Sequence, residues 1–225
     1  MKRALFILIT LFFAAPQVFS QVHFGVRGGI INSTVNYSQT SAGQIVDNRN
    51  GLIGSALIEF RINDGFAIQP EIAWAQRGWD NTSVVSIPFI TTIETKQAER
   101  INYAEIPLMM KAGFGIGPVR LDLLAGPSFS LALNGKRTTT VKTTNLITNT
   151  TSESPSDTED LVFDQDYKKA DLNLQGGAAL SFRLGGTRIF VDGRYLYGVT
   201  DLSNSSDTEI TSRGVAITGG LLFGF

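Results

Sequence analysis

Read in steps of two, most of this chain alternates between apolar and polar residues, and that period selects β-strand over helix. In Val22-His23-Phe24-Gly25-Val26-Arg27-Gly28-Gly29-Ile30 the even positions are apolar or Gly, while the odd ones include His and Arg. Over 52–61, Leu52, Ile58 and Phe60 oppose Glu59 and Arg61; over 66–77, Phe66, Ile68, Ile72 and Trp74 oppose Gln69, Glu71 and Arg77. Further alternating segments cover about 101–114, 118–134, 171–184, 187–198 and 213–225. No stretch of comparable length has a helical period. The count is about eight strands, each long enough for a tilted membrane crossing of roughly 9–11 residues.

The connections separate a barrel from a soluble sandwich. Asn63-Asp64-Gly65, Gly115-Ile116-Gly117 and Gly185-Gly186 are tight, Gly-rich turns. The other connections, about 36–50, 79–100, 135–170 and 199–212, are long and polar. Short and long alternate along the chain, so all short turns fall at one end and all long loops at the other. A sandwich has no reason to sort its loops this way. The fold class expected is all-β: an eight-stranded, antiparallel, up-and-down transmembrane β-barrel, with short periplasmic turns and long extracellular loops.

The N-terminus supplies a matching address. Met1-Lys2-Arg3 precedes an apolar run from Ala4 to Ala15, with Val18-Phe19-Ser20 before Gln21. A basic start, an apolar core of about a dozen residues and a small residue at the end make a secretory signal peptide. Residues 1–20 are expected to be cleaved and 21–225 to form the barrel domain of a bacterial outer membrane. The chain has no cysteine, so lipidation at an N-terminal Cys, disulfides and thiolate metal sites are excluded. Lys and Arg number 19 against 20 Asp and Glu; without Lys2 and Arg3 the balance is 17 against 20. A nucleic-acid partner would need a concentrated basic face, and none is present.

Aromatic positions test the orientation. Phe24, Phe60, Phe66, Phe114, Phe182, Phe223 and Phe225 are expected near the periplasmic rim. Tyr37, Trp74, Trp79, Tyr103, Tyr195 and Tyr197 are expected near the external rim, giving two girdles at the membrane–water boundaries. The C-terminal strand, ending on Phe225, suits recognition by outer-membrane assembly machinery. The inward register collects Arg27, Glu59, Arg61, Glu71, Arg77, Glu105, Lys111, Arg120, Asp122, Asp171, Arg183, Arg188, Asp192 and Arg194. An eight-stranded barrel is only wide enough for its own side chains, and buried charges must pair. The interior therefore reads as a packed ion-pair network, with a narrow ion path as the alternative. Pro70, Pro107 and Pro127 fall inside strands, where each removes a ladder donor, so local bulges or bends are expected there.

These same segments carry a resemblance. Gly25-Val26-Arg27-Gly28-Gly29-Ile30, Gln69-Pro70-Glu71-Ile72 followed by Arg77-Gly78, and Tyr103-Ala104-Glu105-Ile106-Pro107-Leu108 with Lys111 form the first part of an ordered set. Ala125-Gly126-Pro127-Ser128 and Arg194-Tyr195-Leu196-Tyr197-Gly198-Val199-Thr200-Asp201-Leu202 complete it. The set resembles the PorT-like outer-membrane β-barrel family of Bacteroidota, often labelled "porin family", across essentially the whole mature chain. The resemblance implies an outer-membrane barrel, with some relatives linked to secretion or gliding machinery, and it brings no catalytic or ligand residues. The loop at about 135–170 departs from it by its length.

Little in the chain points to catalysis. The single histidine, His23, lies at the start of strand one, so a Ser/His/Asp arrangement cannot assemble at the external rim. Asp157-Thr158-Glu159-Asp160 and Asp164-Gln165-Asp166 follow a Thr/Ser/Asn-rich stretch, without the Gly and distal Glu of a calcium loop, and read as a solvated, flexible acidic loop. No cofactor, no metal and no enzymatic activity are expected. The expected surroundings are outer-membrane lipid, with a protein or glycan bound at the loops. A narrow diffusion pore, or an accessory part of a secretion or gliding assembly, stands as the alternative.

Overall fold

The computed structural model describes residues 21–39, 43–204 and 208–224. The expected signal peptide, residues 1–20, and Phe225 lie outside the described residues. The strands are β1 (Gln21–Tyr37), β2 (Gln44–Arg61), β3 (Phe66–Ile87), β4 (Thr91–Ile116), β5 (Val119–Asn145), β6 (Thr150–Glu153), β7 (Asp157–Asp160), β8 (Ala170–Leu184), β9 (Thr187–Gly198) and β10 (Ile210–Gly224). Eight of them close a ring, β1-β2-β3-β4-β5-β8-β9-β10 and back to β1, with every neighbour antiparallel. Strands β6 and β7 pair only with β5 and stand outside the ring.

Turn chemistry closes the short end. The Asn63 side-chain oxygen accepts hydrogen bonds from the N–H groups of Gly65 (2.8 Å) and Phe66 (2.9 Å), which folds the β2–β3 connection back on itself. Gly117 and Gly185 each hold φ +62°, a left-handed conformation that glycine adopts without a side-chain clash. Outside, Val26, Ile30, Leu52, Ile72, Ile106, Leu108, Leu123, Leu174, Val191 and Ile217 are all exposed. An apolar surface running round the whole ring suits lipid and not water. At its upper edge stands a row of outward amides. Asn32 bonds Asn50 (2.7 Å) and Asn48 (2.9 Å), and Asn102 bonds Gln76 (3.2 Å) and Asn134 (2.6 Å).

Two expectations are corrected here. The polar segments 36–50, 79–100 and 135–170 are in large part strand: β4 runs 26 residues and β5 27, beyond what a crossing needs. Their Thr and Val residues favour extended backbone, and neighbouring strands offer ladders to pair with. The prolines also produce no bulge. Leu57 faces Glu71 and Phe60 faces Ile68 on either side of the gap at Pro70, an unchanged register. The same holds between Pro70↔Leu108 and Ala73↔Glu105, and between Pro107↔Ser128 and Met110↔Ala125. Alternate residues of an antiparallel strand bond to opposite neighbours, so a missing N–H interrupts one ladder and leaves the other to hold the strand. The register shifts lie elsewhere, between Asn48 and Ile53 and between Asn102 and Tyr103.

Candidate functional site

Three tiers of ion pairs fill the barrel between its mouths. In the middle tier, Arg27 (β1) and Arg194 (β9) face Glu71 (β3) and Asp192 (β9) as a closed square. Arg27 lies 2.9 Å from Glu71 and 3.5 Å from Asp192, and Arg194 lies 2.8 Å from each carboxylate. Hydroxyl and amide groups complete it: Thr218 donates to Asp192 (2.6 Å) and Gln69 to Glu71 (2.7 Å). Two guanidinium groups against two carboxylates leave no net charge to desolvate, the condition for burying ions at tolerable cost.

The tier above is built on Arg77 (β3), 3.2 Å from Glu105 (β4) and 3.0 Å from Asp171 (β8), with its guanidinium carbon 3.9 Å from the centre of the Tyr103 ring. The tier below holds Glu59 (β2), which takes Lys111 at 2.7 Å, Arg61 at 2.8 Å and Arg188 at 3.6 Å, and Asp122 (β5), which takes Arg120 at 2.7 Å. All of these side chains are buried. Arg183 differs: it sits exposed beside the β8–β9 turn.

The external mouth is closed by apolar packing. Val35, Trp79, Ile101, Tyr103, Ala132 and Ile210 from the wall meet Leu161, Tyr167 and Leu202 from the long connections. Trp79 and Tyr167 stack edge to face, 5.4 Å apart at 82°. Two girdle assignments are corrected: Trp79 and Tyr103 are each only 3% exposed and point inward. They share the odd parity of Arg77 and Glu105, and parity along a strand outranks height near the rim. Phe24, Phe66, Trp74, Tyr195, Tyr197 and Phe223 do face outward, and Phe60 is half-buried. The Arg213 guanidinium lies 3.7 Å over the Tyr197 ring, a cation at the upper boundary.

Above the cap, Arg137 (β5) gathers Glu99 at 2.7 Å, Glu159 at 3.1 Å and Asp166 at 3.4 Å, and Tyr167 donates to Glu99 at 3.2 Å. Burial pushes the Glu99 carboxyl up from the usual range, against the pull of Arg137. Asp166 also accepts the Val162 N–H at 2.7 Å. The acidic segment read as a solvated loop is thus partly folded onto the barrel. Neither Glu99–Arg137 nor Leu161 and Tyr167 stood out in the sequence, and Leu202 entered only as the end of a family motif; the signal was large apolar residues inside otherwise polar connections. Among the described residues no group of three or more His, Asp or Glu converges as a metal site would require.

Beyond the amide row, β3, β4 and β5 continue together, with β6 and β7 on the outer side of β5, as an external blade. From Asn102 to Thr91 the strand is on the order of 40 Å long at about 3.4 Å per residue. Its tip gathers Ile87, Phe89, Ile90, Leu146 and Ile147, all exposed, with the Leu146 N–H bonded to the Ile90 carbonyl at 2.9 Å. Phe89 is 88% exposed and held at φ 64°, a strained conformation for a bulky residue.

Several solved outer-membrane proteins show a distant likeness to this chain. Ail, the attachment invasion locus protein of Yersinia pestis, is 14% identical with TM-score 0.38, over 90% of this chain and 98% of its own. OprG of Pseudomonas aeruginosa is 11% identical with TM-score 0.40, over 90% and 95%. The protease OmpT of Escherichia coli is 12% identical with TM-score 0.49, over 92% and 97%. Curated protein sequences give no match. The family model described as "Outer membrane protein beta-barrel domain" matches residues 14–204, most of the length, and the chain belongs to that family.

Proposed function

We propose that this protein is a PorT-like barrel of Bacteroidota that works as a closed outer-membrane scaffold, presenting its external blade to a protein or glycan. Residues 1–20 act as the signal peptide removed on export, and 21–225 form the single mature domain. The observation that carries the reading is the contrast within one sheet. The lower part of β3–β5 faces lipid and encloses paired charges, while the upper part projects on the order of 40 Å outward to an apolar tip. An exposed tip of Ile87, Phe89 and Ile147 is costly in water and gains from burial against a partner. The charge-matched middle tier and the apolar cap weigh against a diffusion pore. Catalysis forms no part of the reading, since the single histidine, His23, is buried at the short-turn end, away from the external rim.

The test replaces the two tips, residues 86–92 and 145–150, by short turns and asks whether the trimmed protein complements a deletion strain. Loss of complementation by a barrel that still shifts on an unheated gel is the expected result. Full complementation contradicts a working blade.

A further inference from the structure

Among the described residues, the short-turn mouth sets five cationic side chains against three carboxylates, Glu59, Asp122 and the exposed Asp64. Arg61, Lys111, Arg120 and Arg188 are buried there, and Arg183 stands at the lip. Among the described residues, only Glu59 and Asp122 lie within 4.0 Å of any of them. Glu59 is shared three ways, and among the described residues Arg183 has no carboxylate at that distance. Arg61 Nε and Arg120 Nη2 are buried without a hydrogen-bond partner. This imbalance is local, because the middle tier matches its charges one for one.

Space accompanies the charge. A cleft of about 180 Å³ is lined by His23, Arg183 and Arg188 with the Gly185–Thr187 turn. A second, of about 220 Å³, is lined by Arg61, Asp64, Arg120, Arg183 and Arg188. Arg183 and Arg188 form the wall common to both. Guanidinium groups around such a space match the oxygens of a tetrahedral oxyanion, each offering a fork of N–H donors.

We propose that the periplasmic mouth is a binding site for a phosphate-type oxyanion, held by Arg183 and Arg188 with Arg61 and Arg120 behind them. The bound group supplies the counter-charge that Glu59, Asp122 and Asp64 leave incomplete. It arrives either as a free anion of the periplasm or as the headgroup of an anionic lipid in the adjacent leaflet. The chemistry at the arginines is the same in both cases.

The probe is inorganic phosphate, titrated calorimetrically into the folded barrel in maltoside micelles. Saturable binding is expected, together with a higher thermal midpoint in phosphate. Arg183→Gln, at an exposed position that folding does not need, weakens binding about tenfold, the loss of one charged hydrogen-bonding partner. Arg183→Gln with Arg188→Gln removes it. Repeating the titration in nanodiscs of anionic phospholipid separates the sources: phosphate excluded by the lipid assigns the headgroup, and phosphate still bound assigns the free anion. Absence of saturable binding in micelles, or equal affinity in wild type and double variant, overturns the proposal.

Discussion

The two mouths of this barrel are finished with opposite chemistry. At the external mouth, apolar side chains from the wall meet apolar side chains from the connections, and Trp79, Tyr167 and Leu202 exclude water. At the periplasmic mouth the turns are too short to reach across, and charged side chains of the wall fill the opening around two clefts. The difference follows from loop length. A connection of two or three residues can only reverse the chain, whereas one running from β5 to β8 can fold back as a cap. The two ends therefore differ in kind: the apolar end carries the projecting blade, and the short-turn end holds more cationic side chains than carboxylates among the described residues.

Perturbations should reveal the contrast in proportion to what each mouth relies on. The largest effect is expected at the charged end. Glu59→Gln leaves Arg61, Lys111 and Arg188 with one charge fewer to share and should cost roughly 3–5 kcal/mol, the range for breaking a buried pair. Urea unfolding followed by the gel shift of the folded form reads it directly. A loss below about 0.5 kcal/mol, the level of an ordinary surface change, would mean that water or counter-ions already screen that mouth.

The cap should answer less strongly. Leu202→Ala removes a buried side chain from a connection that can partly collapse, so a loss of about 2 kcal/mol, the low end for such truncations, is expected. The Trp79–Tyr167 near-UV circular dichroism should fall in the same variant, and an unchanged spectrum would show that Leu202 does not hold the cap.

Acid separates the mouths more gently. Burial alone would raise the Asp201 carboxyl, but the N–H groups of Ile210 and Ser203 and the Lys168 ammonium outweigh it and hold the pKa below its ordinary value. Asp80, beside Lys96 and Arg49, is held low in the same way. Groups shifted downward contribute stability that is complete above the unfolded carboxylate range, about pH 4, and is lost as pH falls through the folded value. The near-UV signal of the cap should therefore hold from pH 7 to about 5 and weaken below about 4, less so in Asp201→Asn. The smallest effect is expected at the blade tip: Phe89→Ser should change stability by less than about 0.5 kcal/mol, the usual range for an exposed site, while abolishing partner binding.

How much of this was legible depended on range. Alternation gave the eight ring strands and the inward parity of Arg27, Glu71 and Arg194, because both are properties of a single strand. Tight turns at Asn63, Gly117 and Gly185 were legible for the same reason. Trp79 and Tyr103 were assigned by height when parity placed them inside. The blade was read as loop because Thr-rich segments are polar on both faces, and only their neighbours make them strand. Leu161, Tyr167 and Leu202 lie in connections whose destination depends on contacts far along the chain, which local pattern does not encode. The prolines misled because a single strand does not show which of its two ladders each interrupts.

Single-channel conductance of the folded protein in a planar bilayer tests the central claim of a closed scaffold most directly, with the gel shift confirming that the sample is folded. Silence is predicted for the wild type. Steady openings whose size changes when Arg27 or Glu71 is neutralised would contradict the closed interior and make the charged tiers the lining of a pore.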